Sequence, residues 1–304
     1  MTSIAFQGEP GAFSQETIFQ AFGADTPTLP CHAFADLFRA VADGSADLGM
    51  VPIENSTAGS INQSYDLLLD YDLKITREAI LRVRHALLAR DGTALSDIRR
   101  VYSHPAALAQ CEKFIAARGW EPVAAYDTAG AAKLLAAAHE SNAAAIASET
   151  AARIYNLQIL ARDIQDLANN FTRFFIIGKQ ELPRAANAKT SILFATRHIP
   201  GALHQCLGEF AARGINLAKL ESRPDRKHPW HYIFYLDFEG HRDDAPCRDA
   251  LAGMCDKTDF LRVLGSYPAA TMPDEDRDRR SLTTDYVRSA VIRRGSYFRR
   301  RRGK

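Results

Sequence analysis

Three stretches of this chain set hydroxyl, carboxamide and carboxylate side chains at the ends of apolar runs. Glu54, Asn55 and Ser56 follow Val51-Pro52-Ile53. Ser103 closes Val101-Tyr102-Ser103 and precedes His104-Pro105, with Gln110 one to two turns further on. Asn169-Asn170-Phe171-Thr172-Arg173 leads into Phe174-Phe175-Ile176-Ile177-Gly178, an apolar run with the pattern of a buried strand. In open α/β sheets, ligands bind outside the carboxyl ends of strands and often on helix N-termini. Such loops offer exposed amides and the positive end of a helix dipole, which suit a dicarboxylate. Helix capping explains Ser56, Ser60 or Ser103 taken singly. Their combination with Thr172 and Glu54-Asn55 points instead to a binding site. Arg173 has two readings: a bidentate anchor for a substrate carboxylate, or a brace through Glu54 or another acid.

Other chemistries find little support. Gly8-Glu9-Pro10-Gly11 lacks the third glycine of a dinucleotide loop and the Lys-Ser/Thr of a P-loop. There is no G-x-S-x-G elbow. His139-Glu140 has no second histidine at metal spacing and reads as helix surface. His228 and His231 flank Pro229 without a cysteine pair, and the five cysteines, odd in number, contain no C-x-x-C. Free buried thiols in a reducing cytoplasm are the expectation, with no metal and no organic cofactor.

The elements that must hold these residues follow from periodicity. A strand over 3–7 and a helix over about 13–22 come first. Phe34, Leu37, Phe38 and Val41 then form an amphipathic stripe ended by Asp43-Gly44. A strand over 47–53 and a leucine-rich helix over 61–70 complete a β-α-α-β-α order, which suggests an open, largely parallel sheet. A second lobe is expected from about 75 to 162. Its strands are 83–89, 101–103 and 143–147, and its helices are 106–118 and an alanine-rich one ending near 139. The strand over 174–178 then follows. A linker at 182–187 leads to strands at 191–195, 217–221, 232–238 and 260–264 and helices at 201–213 and 245–257, the β-α-β-β-α-β order of a ferredoxin-like unit.

Composition bounds the function. The chain has 304 residues, 46% of them apolar and 24% charged, ordinary for a two-domain globular protein. No run of about 18 apolar residues is present, and the N-terminus reads as a strand rather than a signal peptide. Residues 273–304 carry 11 Lys+Arg and 5 Asp+Glu, leaving 27 Lys+Arg against 31 Asp+Glu in the rest. The mildly acidic body does not suit a nucleic-acid groove, and the basic tail with Arg299–Arg302 reads as a solvated, disordered end.

Several segments together resemble the prephenate dehydratase family. They are Gly8-x-x-Gly11-Ala12-Phe13-Ser14, Val51-Pro52-Ile53-Glu54-Asn55-Ser56, Ser103-His104-Pro105 with Gln110-Cys111, and Asn170-Phe171-Thr172-Arg173-Phe174. The resemblance implies a two-lobed, periplasmic-binding-protein-like α/β catalytic domain over 1–181, with the strand at 174–178 crossing back to the first lobe. It also implies a ferredoxin-like ACT domain over 188–268. It implies loss of water and carbon dioxide from prephenate, without a cofactor. A ferredoxin-like sheet has helices on one face only, so its other face and its edges are expected to receive a partner, in a cytoplasmic homodimer or homotetramer. Catalytic roles would fall to Thr172, Asn55, Ser103 and Gln110, and substrate contacts to Arg173, Ser56 and Glu54, the last associated more with regulation than with chemistry. Phenylalanine would bind Gly201, Ala202, Leu203, Asn216, Leu217, Glu221, Ser222, Arg223 and Pro224 as an allosteric inhibitor. The stretch Asp127-Thr128-Ala129-Gly130-Ala131-Ala132 is similar to arogenate dehydratases, which act on the aminated relative of prephenate. No chorismate mutase helix is expected ahead of residue 3, and neither membrane nor specific nucleic acid is an expected partner. A sensor that binds a small acid without converting it is the reading from another class.

Overall fold

A computed structural model describes residues 2–138 and 140–272. The readings placed above on His139 and on the tail from 273 lie outside the described residues.

The first lobe comprises β1 (Ile4–Gln7), α1 (Phe13–Phe22), β2 (Thr28–Cys31), α2 (Phe34–Asp43), β3 (Leu48–Asn55), β4 (Gly59–Ser60), α3 (Asn62–Asp70) and β5 (Lys74–Arg82). The second comprises β6 (Ala86–Ala89), β7 (Arg100–Ser103), α4 (Pro105–Gln110), α5 (Glu112–Ala116), β8 (Glu121–Ala124), α6 (Thr128–Ala137), β9 (Ala143–Ala147), α7 (Glu149–Ile154) and β10 (Gln158–Ala161). The chain then returns to the first sheet as β11 (Phe171–Gly178). The predicted amphipathic stripe forms α2, with Leu37, Phe38 and Val41 buried against the sheet.

Strand order in the first sheet is β2-β1-β3-β11-β5, with β4 paired to β3; in the second it is β10-β6-β9-β7-β8. Three expectations need correction. Both sheets are mixed, because β11 runs antiparallel to β3 and β5, and β6 runs antiparallel to β9 and β10. β5 stays in the first sheet, so the second lobe starts after Val83 rather than near 75. The helix over 106–118 breaks at Cys111 into α4 and α5.

The last unit comprises β12 (Ala188–Thr196), α8 (Ala202–Ala211), β13 (Leu217–Pro224), β14 (Tyr232–Glu239), α9 (Ala245–Cys255) and β15 (Thr258–Pro268), with sheet order β13-β14-β12-β15. Strand alternation sends Ile192 and Phe194 toward Cys206, Phe210 and Met254 of the two helices. It sends Leu193, Tyr235, Leu264 and Tyr267 toward Tyr65, Leu68, Ile75 and Phe175 of the first lobe. Each large apolar side chain buried in this way contributes about 1.5–3 kcal/mol. This sheet face is covered by the same chain, so it is not the free face that was expected to receive a partner.

The contact between β15 and β5 is close. A Cβ built on Gly265 would overlap the Ile75 carbonyl oxygen, a backbone atom that cannot swing aside. Gly265→Val is therefore expected to lower stability by about 1–3 kcal/mol through overpacking. A urea midpoint equal to that of the parent would contradict this packing.

Candidate active site

Asn55 ends β3 and Thr172 is the second residue of β11, and the two are direct partners in the antiparallel ladder. The next pair along is Glu54 with Arg173. Successive strand residues point to opposite faces. Asn55 and Thr172 therefore face the cleft between the lobes, and Glu54 and Arg173 face the ACT unit. β11 begins at Phe171, three residues ahead of the apolar run, which places Thr172 and Arg173 inside the strand.

The hydrogen bonds around Asn55 fix which atom donates at each step. Asn55 Oδ1 accepts the backbone N–H groups of Thr57 and Ala58, both at 2.9 Å, so that atom is the oxygen. Asn55 Nδ2 then donates to Asn170 Oδ1 at 2.7 Å and to Thr172 Oγ1 at 3.0 Å. Asn170 Nδ2 donates to Gln110 Oε1 at 2.9 Å. Gln110 Nε2 donates to Asn55 Oδ1 at 3.2 Å and to Thr57 Oγ1 at 3.1 Å. Thr172 Oγ1 is thus an acceptor toward Asn55, and its own proton remains available to a ligand. Asn55, Asn170 and Thr172 are all buried, where a polar group without a partner is costly, so the network has little freedom to rearrange.

His85 was not among the expected site residues, although it stands directly before the apolar run Ala86-Leu87-Leu88. Its Nε2 lies 2.7 Å from Gln110 Oε1. Burial holds its pKa below the ordinary histidine value, against the hydrogen bond to Gln110, which raises it. Asn170 and Thr57 also escaped residue-by-residue reasoning, because what marks them is contact with Asn55 and Gln110.

Thr172, Asn55, Gln110 and His85 line a cavity of about 540 Å³ between the lobes. Its walls include Ala12, Phe13 and Ser14 at the start of α1, and Asp127 and Thr128 at the start of α6. Among the described residues lining it, Asp127 is the only acid and there is no lysine or arginine. Asp127 is also tied down, accepting from Gly130 N at 2.6 Å and from Glu9 N at 2.9 Å.

Other expected residues lie elsewhere. Ser103 is fully buried, and its hydroxyl donates to the Ile146 carbonyl at 2.6 Å, bracing β7 against β9. Ser56 donates to the Asn169 carbonyl at 2.8 Å and accepts from Phe171 N at 2.9 Å, fastening the start of β11. Neither lines the cavity. Arg173 as a substrate anchor is corrected: of its two readings, the structure shows the brace. It bonds Glu78 at 2.7 Å, Asp237 at 2.6 Å and Tyr267 Oη at 3.3 Å, with Glu54 at 3.5 Å. Burial alone would raise the Glu78 pKa, but Arg173 and Lys189 outweigh it and hold the carboxyl below its ordinary value. Glu54 also pairs with Lys219 of β13 and so likewise turns away from the cleft.

The expected effector residues form two groups. Gly201 caps α8 with φ +81°, a left-handed conformation that favours glycine, and Ala202 and Leu203 open the helix. Residues 196–204 enclose a cavity of about 420 Å³. Asn216 bonds Glu239 at 2.9 Å, and Leu217 begins β13. Glu221 accepts from Ser60 of β4, which pairs with Glu54 of β3. Arg223 grips Asp66 at 3.2 Å, while Ser222 and Pro224 are exposed. Arg223 pairs with Ile233, which in turn pairs with Ala195, so the end of β13 lies at the same end of the sheet as Gly201, Ala202 and Leu203. Leu217 pairs with Phe238, which pairs with Thr190, so Asn216 and Leu217 are corrected to the opposite end, away from the other expected effector residues.

Comparison with known proteins agrees with this architecture. The family model described as prephenate dehydratase matches residues 4–182, and that described as ACT domain matches 190–253. The chain is 45% identical over 279 residues to arogenate dehydratase/prephenate dehydratase 2 of Arabidopsis thaliana, covering 88% of this chain and 73% of that one. It is 41% identical over 271 residues to the bifunctional chorismate mutase/prephenate dehydratase of Pseudomonas aeruginosa, covering 88% and 74%. Among solved structures, prephenate dehydratase from Arthrobacter aurescens in complex with L-Phe superposes with a TM-score of 0.81 at 33% identity, covering 95% of this chain and 99% of that one. A cleft that offers a threonine proton beside ordered amides, two matched domains in this order and relatives above 40% identity lead to one assignment: the chain belongs to the prephenate dehydratase family and carries an ACT domain.

Proposed function

We propose that the cleft converts prephenate to phenylpyruvate, with Thr172 stabilising the departing hydroxyl. The observation that carries this is the direction of the Asn55–Thr172 hydrogen bond, which leaves the threonine proton for a ligand. In the reaction the bond to the ring carboxylate breaks and releases carbon dioxide. Its electron pair moves through the ring to form the aromatic system, and the carbon–oxygen bond to the hydroxyl breaks. The hydroxyl leaves with that second pair and takes up a proton to become water. A threonine hydroxyl is a poor acid, so its role is a fixed hydrogen bond to the oxygen as charge develops there. Asn55 holds that hydroxyl in place, Gln110 holds Asn55, and Ser103 steadies β7 beneath the cleft. The substrate carboxylates meet neutral donors rather than arginine. The first turn of α1, whose cap Ala12 has no side chain to occupy the amides, is the natural seat for one of them. Release of phenylpyruvate from prephenate, followed by ultraviolet absorbance, tests the reading, with arogenate as the parallel substrate. Turnover of arogenate alone would transfer the assignment to the aminated substrate, and turnover of neither would overturn it.

Phenylalanine is the proposed feedback inhibitor, bound between the start of α8 and the end of β13. The protein is proposed to act in the cytoplasm as a homodimer or homotetramer joined through the ACT units, whose sheet has β13 and β15 as its edge strands. Among the described residues, no helix is long and apolar enough to cross a membrane. Allosteric coupling of about 1–3 kcal/mol corresponds to roughly 5- to 150-fold inhibition. Gly201→Val puts a β-branched residue at φ +81° and fills the approach to the α8 amides. It is expected to weaken phenylalanine binding in calorimetry and shift inhibition to higher concentrations. Binding equal to that of the parent would place the effector elsewhere.

A further inference from the structure

The relay that orients Thr172 has a first member whose role is not accounted for by substrate contact. His85 lies on the segment joining β5 to β6, is 2% exposed, and packs edge-on against Phe13 with ring centroids 5.4 Å apart. Its backbone N–H donates to Gln165 at 2.9 Å, so the residue is anchored at its main chain as well. Gln110 Oε1 is the oxygen of that amide, since it accepts from Asn170 while Gln110 Nε2 donates to Asn55 and Thr57. His85 Nε2 must therefore carry the proton, and Nδ1 is an acceptor. Nδ1 is buried and meets no partner among the described residues. A proton held at Nε2 and a buried Nδ1 give the ring no route to accept or deliver protons at the substrate.

We propose that His85 is a positioning residue for the dehydration: its neutral Nε2–H locks the Gln110 carboxamide, which through Asn55 directs the Thr172 proton into the cleft. A turned Gln110 amide would set its nitrogen against Asn170 Nδ2 and its oxygen against Asn55 Oδ1. Asn170 and His85 oppose that turn at the Gln110 oxygen and Asn55 at its nitrogen. Removing His85 takes away one of the two donors on the oxygen, and the population of correctly polarised relays falls. This inference rests on the assignment of Thr172 as the donor to the leaving oxygen.

The test combines kinetics with the state of the ring. His85→Leu is expected to lower kcat by up to about tenfold, the size of one net hydrogen bond, with KM changed less than kcat. Coupling through Gln110 requires non-additivity, so His85→Leu combined with Gln110→Ala should be no slower than Gln110→Ala alone. His85→Gln places an amide nitrogen about where Nε2 stands and should restore most of kcat; His85→Asn is too short to reach and should not. Nitrogen-15 spectra of the folded parent should show the His85 ring neutral and protonated at Nε2. Full kcat in His85→Leu, additive losses in the double variant, equal activity of the Gln and Asn variants, or a proton on Nδ1 would each overturn the proposal. If His85→Leu does not fold, the Gln and Asn pair and the spectra decide. If the parent turns over neither prephenate nor arogenate, the functional reading falls, and the ring state judges the relay independently.

Discussion

Thr172→Ala is expected to lower kcat by about 10²–10³-fold, the effect of losing a charge-stabilising donor of about 2.7–4 kcal/mol. The reason is geometric. Asn55 Nδ2 occupies a lone pair of Thr172 Oγ1, so the hydroxyl proton is the part that a ligand can use. Alanine deletes that proton and leaves Asn55 still bonded to Asn170 at 2.7 Å, so the buried amide keeps a partner and the fold should hold. Thr172→Ser keeps a hydroxyl and should retain far more activity, losing only what the methyl group does to fix the rotamer. Steady-state kinetics with thermal melting separate the two effects. A Thr172→Ala protein with parental kcat and unchanged melting would remove Thr172 from the mechanism.

Arg173→Leu is expected to reduce stability by about 3–5 kcal/mol, the usual consequence of deleting one partner of a buried ionic cluster. The side chain is 11% exposed and faces carboxylates that are 0% exposed at Glu78 and 7% at Asp237. Those acids have other partners, Lys189 on Glu78 at 2.9 Å and Ser191 on Asp237 at 2.5 Å, but only Arg173 neutralises both. The loss should depend on pH in a defined direction. Glu78 has a lowered pKa in the folded protein, because Arg173 and Lys189 outweigh its burial. Its contribution is therefore present above the ordinary glutamate pKa, about 4.3, and is lost as pH falls through the lowered folded value. The gap between parent and variant should narrow on acidification, once the carboxyl is protonated in both. Urea midpoints at neutral and acid pH test this. Equal midpoints for Arg173→Leu and parent at neutral pH would contradict the cluster's role in holding the ACT unit to the first lobe.

That position also shows where reading the residues reached its limit. Local pattern was sufficient for the ACT unit. Its β-α-β-β-α-β order and the placement of its elements agree with the structure, because its strands are apolar or alternating runs of strand length and each helix has a glycine or aspartate near an end. It was sufficient for α1 and α2 as well. It missed β2, β4, β5, β8, β10 and α7. All but β5 are short, and β2 and β8 contain Pro30 and Pro122, so neighbours in the sheet hold these strands in place rather than their own propensity. β5 places the charged Glu78 at a buried position that only the pairing with Arg173 and Lys189 makes tolerable.

The polar motifs were visible as types, yet their division of labour was not. Thr172 and Arg173 are adjacent in sequence, and both lie in a stretch that suggests a site. Whether they share it depends on where β11 starts, because one residue along a strand is the difference between facing the cleft and facing the ACT sheet. A start at Phe174 leaves the direction of both open; a start at Phe171 sends Thr172 into the cleft and Arg173 into an ionic cluster with Asp237, 64 residues away. The same holds for Asn55 and Glu54. Donor and acceptor roles lie further still from the sequence. An asparagine or glutamine is the same residue in either orientation, and a histidine carries its proton on either nitrogen. Backbone amides at Thr57 and Ala58 at one end and His85 at the other hold the orientation of the amides between them, through contacts spanning 25 to 117 residues that join Asn55, Asn170, Gln110 and Thr172. The chain composition supplies the groups, but the polarity that turns one threonine into a donor exists only once two lobes have been brought together around them.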